Sequence, residues 1–153
     1  MRRRRRIKRL FFVLIVIASL LSLAGYITYS FSADYQTKKV VEEFYTLEQE
    51  AQFAESWELL HPLMHERWEK GSYIQDRAHV FLNHFGVETF TFIIEEDIEL
   101  SEWKMNKETP ALKNVHKYIV IQSYQGKYGK FRFIQDVYLA KEDGEWMILW
   151  DYN

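Results

Sequence analysis

Residues 87–105 read VETFTFIIEEDIELSEWKM, and this stretch decides the fold because the hydrophobic period changes to two where it begins. Apolar and polar side chains alternate along it, and β-branched and aromatic residues dominate, as is typical of strands. It predicts one long bent strand or two short ones. Its acidic part, EEDIE at residues 95–99, lacks the spacing of a calcium loop and indicates a solvated strand edge that discourages edge pairing.

Three more strands are predicted downstream. They read VHKYIVIQSYQ, KFRFIQDVYLAKE and EWMILWDYN, with GKYG and Asp143-Gly144 as turns, so we expect an antiparallel sheet of about four to six strands. A sheet with one solvated face alternates cleanly between apolar and polar residues. Here Ile134 and Met147 make the second face apolar as well. We therefore expect that face to be partly covered by a partner or by a second copy of the chain.

Three helices are predicted between residue 38 and the sheet. The first has apolar residues three and four apart over residues 40–51. The second contains His61 and is expected to break or bend at Pro62. The third begins near a capping box formed by Ser72 and Gln75, and Gly86 is placed to end it. Helices followed by antiparallel strands indicate an α+β domain with the helices packed on one face of the sheet.

The N-terminal segment is predicted to be a transmembrane helix. No charge interrupts residues 10–27, and about 20 apolar residues are needed to span a bilayer core of about 30 Å. Five arginines at residues 2–6 precede it, and basic residues keep that end of a span in the cytoplasm. The predicted organisation is a cytoplasmic basic segment, a transmembrane anchor in contact with membrane lipid, a juxtamembrane linker and an extracytoplasmic domain, at residues 1–9, 10–31, 32–37 and 38–153.

This segment has two other interpretations. A cleaved signal peptide would use Ser22-Leu23-Ala24 as its cleavage site and release the domain, but hydrophobicity continues past Ala24 and favours the anchor. A nucleic-acid-binding role is disfavoured, because the residues after the basic segment carry 13 basic and 22 acidic side chains, a net charge of −9. The chain has no cysteine, which excludes disulfides and a thiolate nucleophile.

The runs VVEEFYTLEQEAQFAESWELLHPLMHERW, FLNHFG and DGEWMILWDY resemble the nuclear transport factor two-like superfamily, the cystatin-like cone fold. The resemblance covers residues 38–153 and implies three helices folded into a strongly curved sheet, which makes a cone with a pocket. The chain is also similar to the non-catalytic N-terminal domain of some penicillin-binding proteins and to anchored envelope proteins of Gram-positive bacteria. In those proteins the domain is a spacer or an interaction module, whereas other superfamily members are isomerases, dehydratases, cyclases or ligand binders.

Candidate catalytic and metal-binding residues are few. His61 and His65 have the spacing of two metal ligands on one helix face, but a bend at Pro62 would misalign them. His61 instead continues an apolar stripe and is expected to be a buried structural histidine, with His65 exposed. If a cone pocket exists, His61 and Gln135 would be its polar guides, because strand alternation directs Gln135 inward and Asp136 outward. We predict no catalytic residue, no metal site and no cofactor.

The sequence therefore predicts a non-enzymatic, single-pass interaction or spacer domain of the bacterial cell envelope. Its partner would be another envelope protein or a second copy. Trp68 and Trp103 lie among charged residues and are the tryptophans best placed for an exposed contact, although packing against the edges of the domain is the favoured interpretation of both. Ile134 and Met147 mark the second sheet face. The alternative is a cone that binds a small apolar ligand or performs acid–base chemistry on one.

Overall fold

The computed structural model describes residues 2–79, 89–127 and 129–152, and it divides the chain into two compact units, Met1–Gln36 and Thr37–Asn153. Within these described residues, five helices and four strands follow one another. They are α1 Arg2–Ser30, α2 Ala33–Gln49, α3 Phe53–Glu58, α4 Pro62–Arg67, α5 Lys70–Ala78, β1 Phe90–Trp103, β2 Leu112–Gly126, β3 Gly129–Glu142 and β4 Glu145–Trp150. The α+β class and the antiparallel sheet predicted from the sequence are confirmed.

Helix α1 carries a long exposed apolar stretch. Every side chain from Leu14 to Tyr29 is exposed, including those of Leu20, Leu21 and Leu23. Among the residues that the structure describes, no single helix is long and apolar enough to cross a membrane. The stretch Leu14–Tyr29 passes that test only in combination with α2, across a break.

The first two predicted helices of the second unit correspond to helices α2 to α4 of the structure. Helix α2 begins at Ala33, so most of the predicted linker 32–37 is helical, and Val41, Phe44 and Tyr45 form its buried face. The predicted second helix is divided into α3 and α4, as expected from Pro62, which is the first residue of α4.

The predicted start of the third helix was wrong. Helix α5 begins at Lys70 with Glu69 as its N-cap residue, so Ser72 lies inside the helix and does not cap it. The structure describes this helix to Ala78. The predicted terminator Gly86 and the apolar residues Phe81, Leu82 and Phe85 lie outside the described residues.

The four strands form one antiparallel sheet in the order β1-β2-β3-β4, and Leu60 adds a single parallel bridge to Ile148 of β4. Three contacts show which face lies against the helices. Thr37 bonds Tyr118, Tyr45 bonds Gln135, and the Phe44 ring contacts Trp150. We call this the inner face and the opposite one the outer face.

The apolar side chains of β1 point to different faces of the sheet before and after a bulge between Glu95 and Asp97. Before the bulge, Phe92 pairs with Gln122 on the inner face; after it, Ile98 pairs with Lys117 on the outer face. One extra residue shifts the alternation of a strand by one position and bends it. The sequence left one long strand or two short ones open, and the structure has one long strand with a bulge.

Half of the outer face is buried by the chain itself. Trp103, at the end of β1, stacks on the Tyr138 ring with centroids 4.1 Å apart. Tyr138, Ala140 and Leu149 of the same face are buried, and Met105 beyond β1 is buried too. This face was expected to be covered by a partner or by a second copy; over this part the chain itself covers it instead. The other half is exposed.

Candidate functional site

A polar cluster lies inside the second unit, where α2, α3 and α5 meet. The Glu48 carboxylate of α2 accepts hydrogen bonds from Ser56 of α3 at 2.5 Å and from Tyr73 of α5 at 2.7 Å, both on Oε1. Its Oε2 is 2.7 Å from Nη2 of Arg77, one turn along α5 from Tyr73. Ser56 and Tyr73 are fully or almost fully buried, so the cluster is shielded from water.

The charges of this cluster are fixed by their surroundings. Burial raises the pKa of Tyr73, so the phenol keeps its proton and donates to Glu48. Burial is the largest single effect on Arg77 and works to lower its pKa, but the Glu48 carboxylate together with the Tyr73 and Tyr45 hydroxyls outweighs it, so the pKa is raised. Both oxygens of Glu48 are engaged, so this carboxylate joins α2, α3 and α5.

The predicted site residue Gln135 faces helix α2. It is half-buried on the inner face of β3 and accepts a hydrogen bond of 3.0 Å from the Tyr45 hydroxyl of α2. The prediction that Gln135 points inward and Asp136 outward is confirmed, since Asp136 pairs with Lys117 at 2.6 Å on the outer face. Burial raises the pKa of Tyr45, so the hydroxyl remains the donor.

His61 has the structural role that the sequence predicted. It is buried, its backbone N donates to Ile148 O at 2.9 Å, and its Nδ1 accepts from Leu63 N at 3.2 Å as the N-cap of α4. Its Nε2 lies 3.6 Å from the carboxylate of Glu142. Burial lowers the pKa of His61, which outweighs the raising effect of Glu142, so the ring is neutral near pH 7.

His65 and Trp68 are held by the chain itself. His65 was expected to be exposed; instead it is half-buried, stacked on Trp57 at 3.7 Å with its Nε2 2.9 Å from the Trp57 carbonyl oxygen. The two histidines do not face each other as a ligand pair, because His61 precedes α4 and uses Nδ1 as its cap. Trp68 is half-buried, and its Nε1 donates to the Tyr152 hydroxyl at 2.9 Å.

The three remaining predicted residues, Trp103, Met147 and Ile134, differ in how far they are exposed. Trp103 is half-buried against Tyr138, and Met147 is half-buried next to the covered half of the face. Ile134, in contrast, is 66% exposed. The structure therefore leaves Ile134 available for an outside contact and gives Trp103 a partner within the chain, while Met147 pairs across the strands with Ala140.

Ile134 is part of an exposed row that crosses three strands. Ile93 of β1 pairs with Ile121 of β2, and Ile121 pairs with Ile134 of β3, so the three side chains stand side by side on the outer face. Ile93 is 59% exposed and Ile121 is half-buried. We call these three residues the isoleucine row.

A cleft of about 840 Å³ opens beside the row, at the ends of β1, β2 and β3. Aromatic rings line it: Tyr124 stacks on Phe131 at 5.0 Å and contacts Phe90 at 5.1 Å. Lys130 and Arg132 supply positive charge at its rim. Its lining suits a small ligand with an apolar body.

Sequence reasoning missed the Glu48 cluster and the alignment of the isoleucine row. Glu48 continues the buried stripe of α2 at four-residue spacing from Phe44, which was the available signal for a buried carboxylate. The row depends on strand register, which the sequence did not specify. No protein-family model matches the chain, and no curated protein matches it, so the site is defined by the chain's own geometry.

Proposed function

We propose that the chain is a membrane-anchored, non-enzymatic domain outside the cytoplasm that binds or spaces another protein, in the manner of the bacterial envelope domains it resembles. The isoleucine row carries this proposal. Three β-branched aliphatic side chains in one line, with Ile93 and Ile134 mostly exposed, form the kind of contiguous apolar surface that marks interaction sites.

The anchor is supported by the surface of α1. The segment from Leu14 to Tyr29 carries no charged residue and is mostly apolar, and all its side chains are exposed, so an apolar environment would bury a large apolar surface. Arginines at residues 2–6 favour a cytoplasmic N-terminus. We therefore propose residues 10–31 as the membrane contact and residues 38–153 as the exported domain.

We also propose that the second unit is a cone of the nuclear transport factor two-like type with a strongly curved sheet. The order of helices before antiparallel strands supports this. The bulge at Glu95 supports it as well, because it bends β1 and moves the strand's apolar residues from the inner to the outer face.

A second candidate function is the binding of a small apolar ligand, favoured by the aromatic cleft at Phe90, Tyr124 and Phe131. The predicted polar guides His61 and Gln135 do not line it. A fluorescent fatty-acid probe tests this candidate: saturable binding by the purified chain, lost in Phe131→Asp but kept in Phe133→Asp, would favour the ligand-binding function.

The orientation of the chain in the membrane can be tested with single introduced cysteines, because the chain itself contains none. Single cysteines are placed at Glu108→Cys, in the exposed loop after β1, and at Arg4→Cys in the basic segment. In intact cells a membrane-impermeant maleimide should label the first and not the second, and lysis should make both reactive. Labelling of Arg4→Cys alone in intact cells would overturn the proposed location.

The interaction surface is tested by a photo-crosslinking amino acid at Ile134, with the exposed Glu145 at the β3–β4 turn as the matched control position. The proposal expects a discrete crosslinked protein, either a partner or the chain itself, from position 134 and none from position 145. Equal, diffuse products from both positions would contradict a specific interaction surface.

A further inference from the structure

We infer that the isoleucine row is a self-association surface, on which a second copy of this chain packs face to face about a two-fold axis running along the row. The inference rests on the proposed interaction function and names its partner. It is carried by the polar residues that flank the row, whose positions are fixed by the strand register.

The two flanking lines of residues differ in charge. On one side of the row the paired residues are Thr91, Ser123 and Arg132; on the other they are Glu95, Ile119 and Asp136. One flank therefore carries a cation and the other carries two anions. Arg132 and Glu95 are exposed, and Asp136 is half-buried beside Lys117.

A two-fold axis along the row places the isoleucine row of the second copy over that of the first. It also places each flank of one copy over the opposite flank of the other. Each isoleucine then faces its own counterpart, and Arg132 of one copy faces Asp136 of the other. Because the axis is two-fold, this ion pair forms twice and the assembly closes as a dimer. Thr91 faces Glu95 of the second copy, so a hydroxyl donor meets a carboxylate. No like charges on the flanks are opposed.

Covering the isoleucine row with a second copy would be energetically favourable. Side chains paired directly across strands lie about 4.5–5.5 Å apart, so the isoleucines form a flat ridge that a matching ridge can pack against. Removing exposed aliphatic surface from water is favourable in proportion to its area. Arg132 makes no ion pair within the described residues. Lys117 contacts Oδ2 of Asp136, which leaves Oδ1 to accept from the Arg132 guanidinium of the second copy.

The contact can be trapped with the full chain in detergent. In the proposed dimer residue 134 lies opposite its own counterpart, so Ile134→Cys should oxidise to a disulfide-linked dimer. Lys141→Cys, exposed near the β3–β4 turn and away from the row, is the matched control and should stay monomeric on a non-reducing gel. Absence of a dimer band from Ile134→Cys would overturn the inference.

Charge reversal tests the symmetry itself. Arg132→Glu and Asp136→Arg should each reduce the dimer fraction by about tenfold or more in sedimentation, because each opposes like charges twice. In a mixed dimer the Arg132→Glu copy has acidic side chains at positions 132 and 136, and the Asp136→Arg copy has basic side chains at both. Each acidic position then faces a basic one, so both ion pairs are restored. The dimer should therefore return on mixing, an effect that misfolding of either variant would not produce.

The outcomes separate this inference from the proposed function. A wild-type dimer that Arg132→Glu leaves unchanged would place self-association elsewhere in the chain and overturn the inference. A photo-crosslink from position 134 to a different protein, with no self-crosslink, would overturn it while the interaction function stands. No product from position 134 and no dimer would overturn both.

Discussion

Glu48 and Arg77 form an ion pair of 2.7 Å in which the carboxylate side chain is only 3% exposed and the guanidinium side chain 21%. The pair joins α2 to α5, and Ser56 adds α3 through the same carboxylate. A charge removed from water this far is costly unless its partners remain in place. The three helices therefore depend on one another for the charge balance of the interior.

Removal of one partner should be strongly destabilising. We expect Arg77→Met to lower the free energy of unfolding by about 3–5 kcal/mol, because Glu48 would stay buried without its counter-ion. The measurement is urea unfolding of the full chain in detergent, followed by tryptophan fluorescence. All five tryptophans lie after residue 37, so the signal reports the second unit alone.

The double variant Glu48→Met/Arg77→Met is the control for this interaction. It leaves no uncompensated charge, so it should lose clearly less stability than the sum of the two single variants. Additive losses would show that the two side chains do not interact across the interior and would contradict the ion pair.

Local signals in the sequence predicted much of the helical half. Pro62 divided the second helix as expected, because a proline lacks the N–H that a helix interior needs and its ring obstructs the preceding turn. The capping box at Ser72 failed for an equally local reason. Lys70 and Gly71 extend the helix N-terminally, so Ser72 already lies within its first turn and cannot cap it. Local patterns indicate that a helix exists better than where it begins.

The face of β1 could not be read from the sequence. Phe92, Ile94, Ile98 and Leu100 all lie at even-numbered positions, with only Glu96 interrupting the series, and regular alternation predicts a single face for them. The bulge at Glu95 divides them between the inner and outer faces. The isoleucine row requires the same tertiary information, because its alignment depends on the register of three strands. Single positions such as Ile134 were predictable, and the surface that they form together was not.

Stability should depend on pH through His61. Its folded-state pKa is lowered by burial, so the unfolded chain binds the proton more readily. The neutral ring contributes stability that is fully present above the ordinary value of about 6.5 and is lost as pH falls below it. We expect the urea midpoint to decrease as the pH is lowered from about 7.5 to about 5.5, a range that brackets the ordinary histidine pKa.

The matched variant is His61→Asn, which keeps an N-cap acceptor for the Leu63 amide but cannot titrate. It should show a smaller decrease in urea midpoint over the same pH range. An equal decrease in wild type and variant would assign the pH dependence to other groups.

A side chain at Gly144, the second residue of the β3–β4 turn, should lower the stability of the chain through backbone strain. Gly144 has φ of 90° and follows Asp143 with φ of 50°, a left-handed pair that suits a tight hairpin. Gly144→Ala should cost about 1 kcal/mol or more of unfolding free energy through backbone strain, since no atom lies within 4 Å of the added Cβ. Gly71→Ala, equally unobstructed but inside α5, should instead stabilise by up to about 1 kcal/mol. The same sign in both variants would contradict this assignment of strain.

Truncation of a side chain should cost much unfolding free energy in the covered half of the outer face and little in the exposed half. Leu149 is fully buried under the covered half, so Leu149→Ala should cost about 2–5 kcal/mol of unfolding free energy at any protein concentration. Ile134→Ala should cost little in the dilute monomer, because most of its side chain already contacts water. At concentrations where the chain self-associates, Ile134→Ala should lower the urea midpoint relative to wild type, since binding to the folded state alone adds stability by mass action. Urea titrations at two widely separated protein concentrations measure both effects, and a large concentration-independent loss for Ile134→Ala would show that this side chain is buried within the chain.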